Sequence, residues 1–262
     1  MDLSKEKQIE IQAKLPQITE IQRRLLLPVD ILAMKIGPYK NIESAIVCLR
    51  DASTVATEAV YALSQAYLHL FWYREEHPDA PLEKEACAYC KFYIDDVALR
   101  LYAAAEHLAN FVIAFLNIEK SKLKQCKTKK PSSLASRVGK YMFAEMPTHD
   151  ITVSIKKLKD DKNWEEIMTY RNNWVHEQPP LVDGLGIVYE RKSRWRTTDN
   201  GVGLFGGGDQ PKHSIDSLLT MVSSASHAFV NLLSELSDIL FAHLRDFGID
   251  FDQNTGKPKF NL

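Results

Sequence analysis

The sequence predicts an all-α protein, an elongated antiparallel bundle of long helices with a small loop or hairpin insertion. Three observations lead there. Apolar residues recur at spacings of three, four and seven over three segments of about 33 residues, each ~50 Å long as a helix. Proline and glycine fall mostly between these segments. A pair of strands is suggested only within 181–211, by Ile187-Val188-Tyr189 and Arg194-Trp195-Arg196.

In order along the chain, residues 4–26 read as a charged helix carrying Ile9, Ile11, Leu15, Ile18, Ile21 and Leu25, with Pro16 placed to kink or divide it. Pro28 and Gly37-Pro38 punctuate a connection. A helix over about 41–73 follows, with Ile42, Ala45, Ile46, Leu49, Leu63, Ala66 and Leu70 along one side. The break at His77-Pro78-Asp79-Ala80-Pro81 leads into a helix over about 81–118. Its later half, from Tyr93 to Phe115, is apolar on most faces, as suits the central helix of a bundle. Shorter helices are expected at 132–145, 148–159 and 162–177, the last stopped by Pro179-Pro180. A final helix is expected over 214–247, followed by a loosely held polar tail at 250–262. No repeat or linker divides the chain, so 1–262 reads as one helical domain interrupted by the 181–211 insertion.

Composition narrows the function classes. An apolar share of 45% and an aromatic share of 10% argue for a packed core. A formal net charge of −1 excludes a general polycation, so any meeting with nucleic acid must use local basic patches. No stretch approaches the ~20 consecutive apolar residues of a membrane span, and residues 1–12 lack the apolar core of a secretory signal. A cytoplasmic protein with no membrane partner is the expectation. Its four cysteines, Cys48, Cys87, Cys90 and Cys126, would then be reduced.

Several motifs are weighed and set aside. Cys87-Ala-Tyr-Cys90 has C-x2-C spacing, but no second cluster supplies further ligands, so two small buried residues one helical turn apart is the better reading. The glycine-rich segment 203–212 lacks the G-K-[ST] ending of a phosphate-binding loop. The paired Glu-x-x-His motifs of a carboxylate di-metal bundle are missing too. No metal or cofactor is therefore expected.

Two basic segments stand out. The run from Lys120 to Lys130 reads as a solvated loop, or else as a phosphate-facing patch. Arg191, Arg194 and Arg196 beside Trp195 combine charge with an aromatic face, as single-stranded nucleic-acid surfaces do. The plainer alternative there is an exposed cationic hairpin with no special role.

The most informative stretch ends the 162–177 helix, in Arg171-Asn172-Asn173-Trp174-Val175-His176. Trp164, Ile167 or Met168, Arg171 and Val175 follow helical spacing, which turns Arg171 toward the apolar side. A cation there needs a partner or a purpose. His176 lies ~140° around a regular helix from Arg171, so unwinding of the last turn before Pro179 is expected to bring the two together. The competing readings are a salt bridge from Arg171 to an acid in the bundle and a helix-capping role for His176. A second pair, Arg100 and His107, has similar spacing, but Leu101 follows its arginine.

Arg171-Asn172 with four residues between Arg171 and His176 resembles the active-site motif of the HEPN superfamily, higher eukaryotes and prokaryotes nucleotide-binding domains. The resemblance implies an all-α fold and a metal-independent endoribonuclease that cleaves RNA by attack of its own 2′-OH. By resemblance, Arg171, His176 and Asn172 are catalytic, Asn172 as the polar neighbour that positions the site. The resemblance also implies a homodimer whose two motifs share one cleft, and a toxin or defence role with an antitoxin or other protein partner. The chemistry suits the residues, since a histidine can take the hydroxyl proton and an arginine can face the anionic phosphorane. The alternative functions are a non-catalytic HEPN-like module that binds RNA or protein, and a helical scaffold.

Overall fold

The computed structural model describes residues 3–25, 40–79, 84–125, 133–176, 180–183, 185, 196–197, 203–204, 211–252 and 258–260. Helix dominates, in the order α1 (Lys5–Lys14), α2 (Thr19–Leu25), α3 (Lys40–Glu76), α4 (Lys84–Phe115), α5 (Lys120–Gln125), α6 (Leu134–Glu145), α7 (Asp150–Lys159), α8 (Lys162–His176) and α9 (Ile215–Arg245). Two short hairpins complete it: β1 (Arg196–Thr197) with β2 (Gly203–Leu204), and β3 (Ile249–Phe251) with β4 (Pro258–Phe260).

The long helices α3, α4 and α9 have 37, 32 and 31 residues, about 56, 48 and 47 Å of rise. The α3–α4 hairpin is the backbone of the bundle. The buried side of α3 is rich in small residues. Ala45, Ala52, Ala56, Ala59, Ala62 and Ala66 are buried, as are Leu49, Leu63 and Leu70. On α4, Ile94, Val97, Ala98, Leu101, Ala104 and Phe111 face the core. Alanine costs no side-chain entropy on burial and lets two helix axes approach closely. Across one side lies α9, whose Leu218, Val222, Phe229, Leu233, Leu236, Leu240 and Leu244 form an almost fully buried stripe.

Local chemistry sets the element ends. Leu15 is extended (φ −91°, ψ 140°) because Pro16 follows it, and the expected first helix is thereby divided into α1 and α2. The expected end of α4 at 118 moves to Phe115. Asn117 turns left-handed (φ 49°), and the Asn117 and Ile118 amides donate to the carbonyls of Ala114 and Ile113. This is a helix-ending pair of bonds in which asparagine takes the place usual for glycine. Ser214 and Ser217 cap α9 reciprocally.

Three segments can be set beside what the sequence suggested. The first part of the Lys120–Lys130 run is helix α5 and not loop, consistent with the good helix propensity of lysine; 126–130 lie outside the described residues. In the insertion, Arg196 pairs with Leu204, while the expected partners at 187–189 lie outside the described residues, as do Arg191, Arg194 and Trp195. The start of the tail pairs with 258–260 in an antiparallel hairpin, Ile249 opposite Phe260 and Phe251 opposite Pro258, and Ile249 at its base is wholly buried. The insertion is tied at its base by a bridge between Val182 and His213, with the Asp183 amide 2.8 Å from the His213 carbonyl.

Glu85–Phe115 is apolar and long enough to cross a membrane by composition, although the sequence shows no unbroken apolar run there. Within the bundle it is the central helix, and 44% of its most apolar window is buried against its neighbours.

Replacing Leu101, 1% exposed in the α3–α4 seam, by alanine should lower unfolding stability by about 2–5 kcal/mol. Phe92→Ala, at a position 65% exposed, should change it by no more than ~0.5 kcal/mol. Urea unfolding followed by circular dichroism measures both.

Candidate active site

The site is carried by α8, and the sequence of α8 explains how it is held. Asp161 precedes the helix and its carboxylate accepts from the Trp164 amide at 2.8 Å. The Trp164 ring stacks on Phe229 of α9, with centroids 5.4 Å apart. Ile167 is wholly buried. One turn further on, the Tyr170 hydroxyl donates to Asp95 of α4 at 2.6 Å. The other Asp95 oxygen lies 2.6 Å from Lys91, and both side chains of that pair are mostly shielded. Burial, and then the negative Asp95 beside it, raise the Tyr170 hydroxyl far above the ordinary phenol range, so it stays a donor. His213, at the base of the insertion, meets the Tyr170 ring edge-on at 5.8 Å, and burial lowers the pKa of its imidazole.

This anchoring fixes the next residue, Arg171. Its guanidinium carbon lies 3.8 Å from the centroid of the Tyr102 ring on α4. Its Nη1 donates to Asn172 Oδ1 at 3.0 Å and lies 3.4 Å from His176 Nε2. Its Nε is buried and has no hydrogen-bond partner among the described residues. Arg171 is half-buried, while Asn172 and His176 are exposed.

Arg171, Asn172 and His176 are thus together, but not by the expected route. The helix does not unwind before His176, which is its last residue. The long arginine side chain spans the ~140° between the two positions instead. The expected apolar stripe also ends early. Val175 is 41% exposed, and the inward positions are Ile167 and Tyr170.

The arginines at the two motif-like pairs have different surroundings. Arg100 binds two carboxylates, Glu58 through Nη1 and Asp96 through Nε at 2.8 Å. Those bonds, Asp96 foremost, push its pKa still higher. Among the described residues, Arg171 makes no ion pair with an acid. It is stacked on a neutral ring and bonded to a neutral amide, so among the described residues no carboxylate compensates its charge. With Nε2 unprotonated, His176 accepts from Nη1, and the same lone pair can receive a proton from a substrate hydroxyl.

Among the described residues no three His, Cys, Asp or Glu side chains are grouped to hold a metal. Cys87 and Cys90 are both buried. Burial pushes the Cys90 thiol up to about 12, which removes it from thiolate chemistry at neutral pH. Cys126 lies outside the described residues.

Tyr102 and the Lys91–Asp95–Tyr170 cluster are what sequence reasoning missed. Tyr102 shares the Arg171 cation although it stands on another helix, and no local spacing links the two. The side chains of Arg191, Arg194, Trp195 and Arg196 are outside what the structure describes, so they stay a separate, sequence-based candidate.

Set against protein-family models, curated proteins and solved structures, the chain matches none of them.

Proposed function

We propose that the chain is a HEPN-like, metal-independent endoribonuclease. The observation that carries this reading is Arg171 itself: a half-buried cation with no acidic partner among the described residues, 3.4 Å from an exposed histidine. A structural arginine is normally answered by a carboxylate, as Arg100 is. An arginine kept free of one is available to an anion that arrives from outside.

In the proposed reaction His176 Nε2 accepts the proton of an RNA 2′-OH. The 2′ oxygen then bonds to the adjacent phosphorus as the bond from phosphorus to the 5′ oxygen breaks. The 5′ oxygen leaves and takes a proton from water, giving a 2′,3′-cyclic phosphate and a 5′-hydroxyl end. Arg171 faces the non-bridging oxygens, where charge grows in the phosphorane. Tyr102 holds the guanidinium plane from beneath and Asn172 holds one of its edges. The preorganisation matters because a cation already in place need not reorganise as the charge develops.

The RNA-binding surface is proposed to continue onto Arg191, Arg194, Trp195 and Arg196 of the insertion. The assembly is proposed to be a homodimer with the 171–176 segments near its two-fold axis, and the biological role that of a toxin or defence effector.

His176→Ala should slow RNA cleavage by about 10²–10⁴ and leave the fold intact, since the side chain is exposed at a helix end. Arg171→Lys should be similarly impaired, because it keeps the charge and loses the planar fork. Cleavage should persist in excess chelator and leave 2′,3′-cyclic phosphate ends, read by electrophoresis and end-group analysis. Wild-type rates in the His176→Ala protein would move the reaction away from this site.

Replacing Arg191, Arg194 and Arg196 together by alanine should weaken RNA binding. The salt slope should flatten by about 0.7 for each phosphate that is no longer neutralised. An unchanged slope would leave the insertion without a role in binding. Light scattering at micromolar concentration should return twice the chain mass of 29.9 kDa; a value for the single chain would refute the dimer.

A further inference from the structure

Beside the α8 motif, and sharing only Tyr102 and Asn172 with the proposed chemistry, is a cavity of about 390 Å³. Five helices enclose it, α4, α6, α7, α8 and α9. Its walls are apolar, with Val112, Leu158, Trp164, Phe229 and Leu236 among them. The volume falls within the ~300–1,000 Å³ range of small-molecule sites.

Three features say what the cavity suits. The first is Gly139, in the interior of α6 and on the cavity wall. Glycine within a helix costs roughly 0.5–1 kcal/mol relative to alanine. Neither of the usual reasons for it holds here. Gly139 does not have a positive φ, and an added Cβ would meet only Phe143 Cε2, at an ordinary 3.8 Å. The missing side chain serves no contact within the chain. It leaves the cavity wider.

The second feature is the charge at the exposed edge. Lys140 and Lys159 both line the cavity and are exposed. Lys159 lies over the Phe143 ring at 4.7 Å, and neither lysine forms an ion pair among the described residues. The one acid in the lining, Glu106, is already engaged, for its two oxygens accept from the Leu134 and Ala135 amides at the start of α6. The edge therefore offers two uncommitted cations above an apolar interior.

The third feature is the shortage of polar partners inside. A nucleobase needs donors and acceptors along its edge, whereas most of the lining is apolar, such as Val112, Leu158 and Leu236, with Ser133, Ser136 and Asn172 the few neutral polar side chains besides Tyr102. An apolar cavity of about 150 Å³ is known to hold a benzene ring, so this one holds a chain of roughly ten or more carbons.

We propose that this cavity is a binding site for a medium-chain amphiphilic anion, an acyl carboxylate whose chain fills the interior and whose head meets Lys140 and Lys159. Two residues of its lining, Tyr102 and Asn172, are also those that hold Arg171. The ligand would thus lie one side chain away from Arg171. The proposal does not depend on the nuclease reading.

Isothermal titration of the full chain with sodium decanoate, below its micelle-forming concentration, tests it. One decanoate per chain is expected, with decyltrimethylammonium at least about tenfold weaker, since the edge would repel a second cation. Gly139→Leu places a side chain in the cavity and replaces a poor helix former with a good one. It should weaken decanoate at least about tenfold while the circular dichroism spectrum and melting temperature are kept. Ala135→Leu, one turn away on the same wall, is the second filling variant should Gly139→Leu fail to fold. The double variant Lys140→Gln with Lys159→Gln should weaken decanoate and leave uncharged 1-decanol unchanged. The proposal is overturned if decanoate does not bind, or if it binds Gly139→Leu and Ala135→Leu as well as wild type. Equal affinity for the ammonium compound, or adenosine monophosphate binding in decanoate's place, also overturns it.

Discussion

Close approach of α3 and α4 is the constraint on which the rest of the molecule depends. Six alanines along α3 are buried, and the α3–α4 hairpin directly carries α1, α2, α6, α8 and α9. A larger residue at any of these positions would wedge the axes apart, because a close-packed seam has no slack to absorb added volume. From α4 outward the order is a hierarchy. α4 presents Asp95 and Tyr102 to α8, Glu106 to the start of α6, and its apolar face to α9.

The motif on α8 inherits its geometry from that hierarchy. Two aromatic residues divide the work. Tyr170 fixes the helix by a bond from its hydroxyl to a shielded aspartate, while Tyr102 fixes the arginine by its face. The Asp95 carboxylate is close to α8 but is occupied by Lys91 and Tyr170. Both oxygens of that acid are thereby engaged, one of them by the residue before Arg171. Such a division is costly in a core, because it shields a charged pair, but it leaves one cation open to what lies outside.

Much of the fold was legible in the sequence, since long amphipathic helices announce themselves by period and their ends by proline. The division at Pro16 follows from backbone chemistry alone. The misreadings have physical causes. Six lysines between 120 and 130 hide the helical start of that segment, because charge says nothing about backbone propensity. Ile249 and Phe251 were hidden in a polar tail, and their pairing with 258–260 needs a long-range contact that no local pattern reveals. At the site, the spacing of Arg171 and His176 was visible, as was the polar Asn172. What holds Arg171 was not, because Tyr102 belongs to a different helix and its ring looks in sequence like any other core aromatic.

The bridge between Val182 and His213 gives the insertion a fixed entry and exit. Both strands of that bridge are docked on the bundle, since Val182 is buried and His213 leads directly into the cap of α9. The cost of closing a loop between two fixed points rises only slowly with its length, by about 0.6 kcal/mol per doubling. Whatever chain lies between these points can lengthen, shorten or change composition while the helices on either side keep their registration. Changes in the length or composition of that chain therefore place little strain on the bundle, whose helices are held by their own packing.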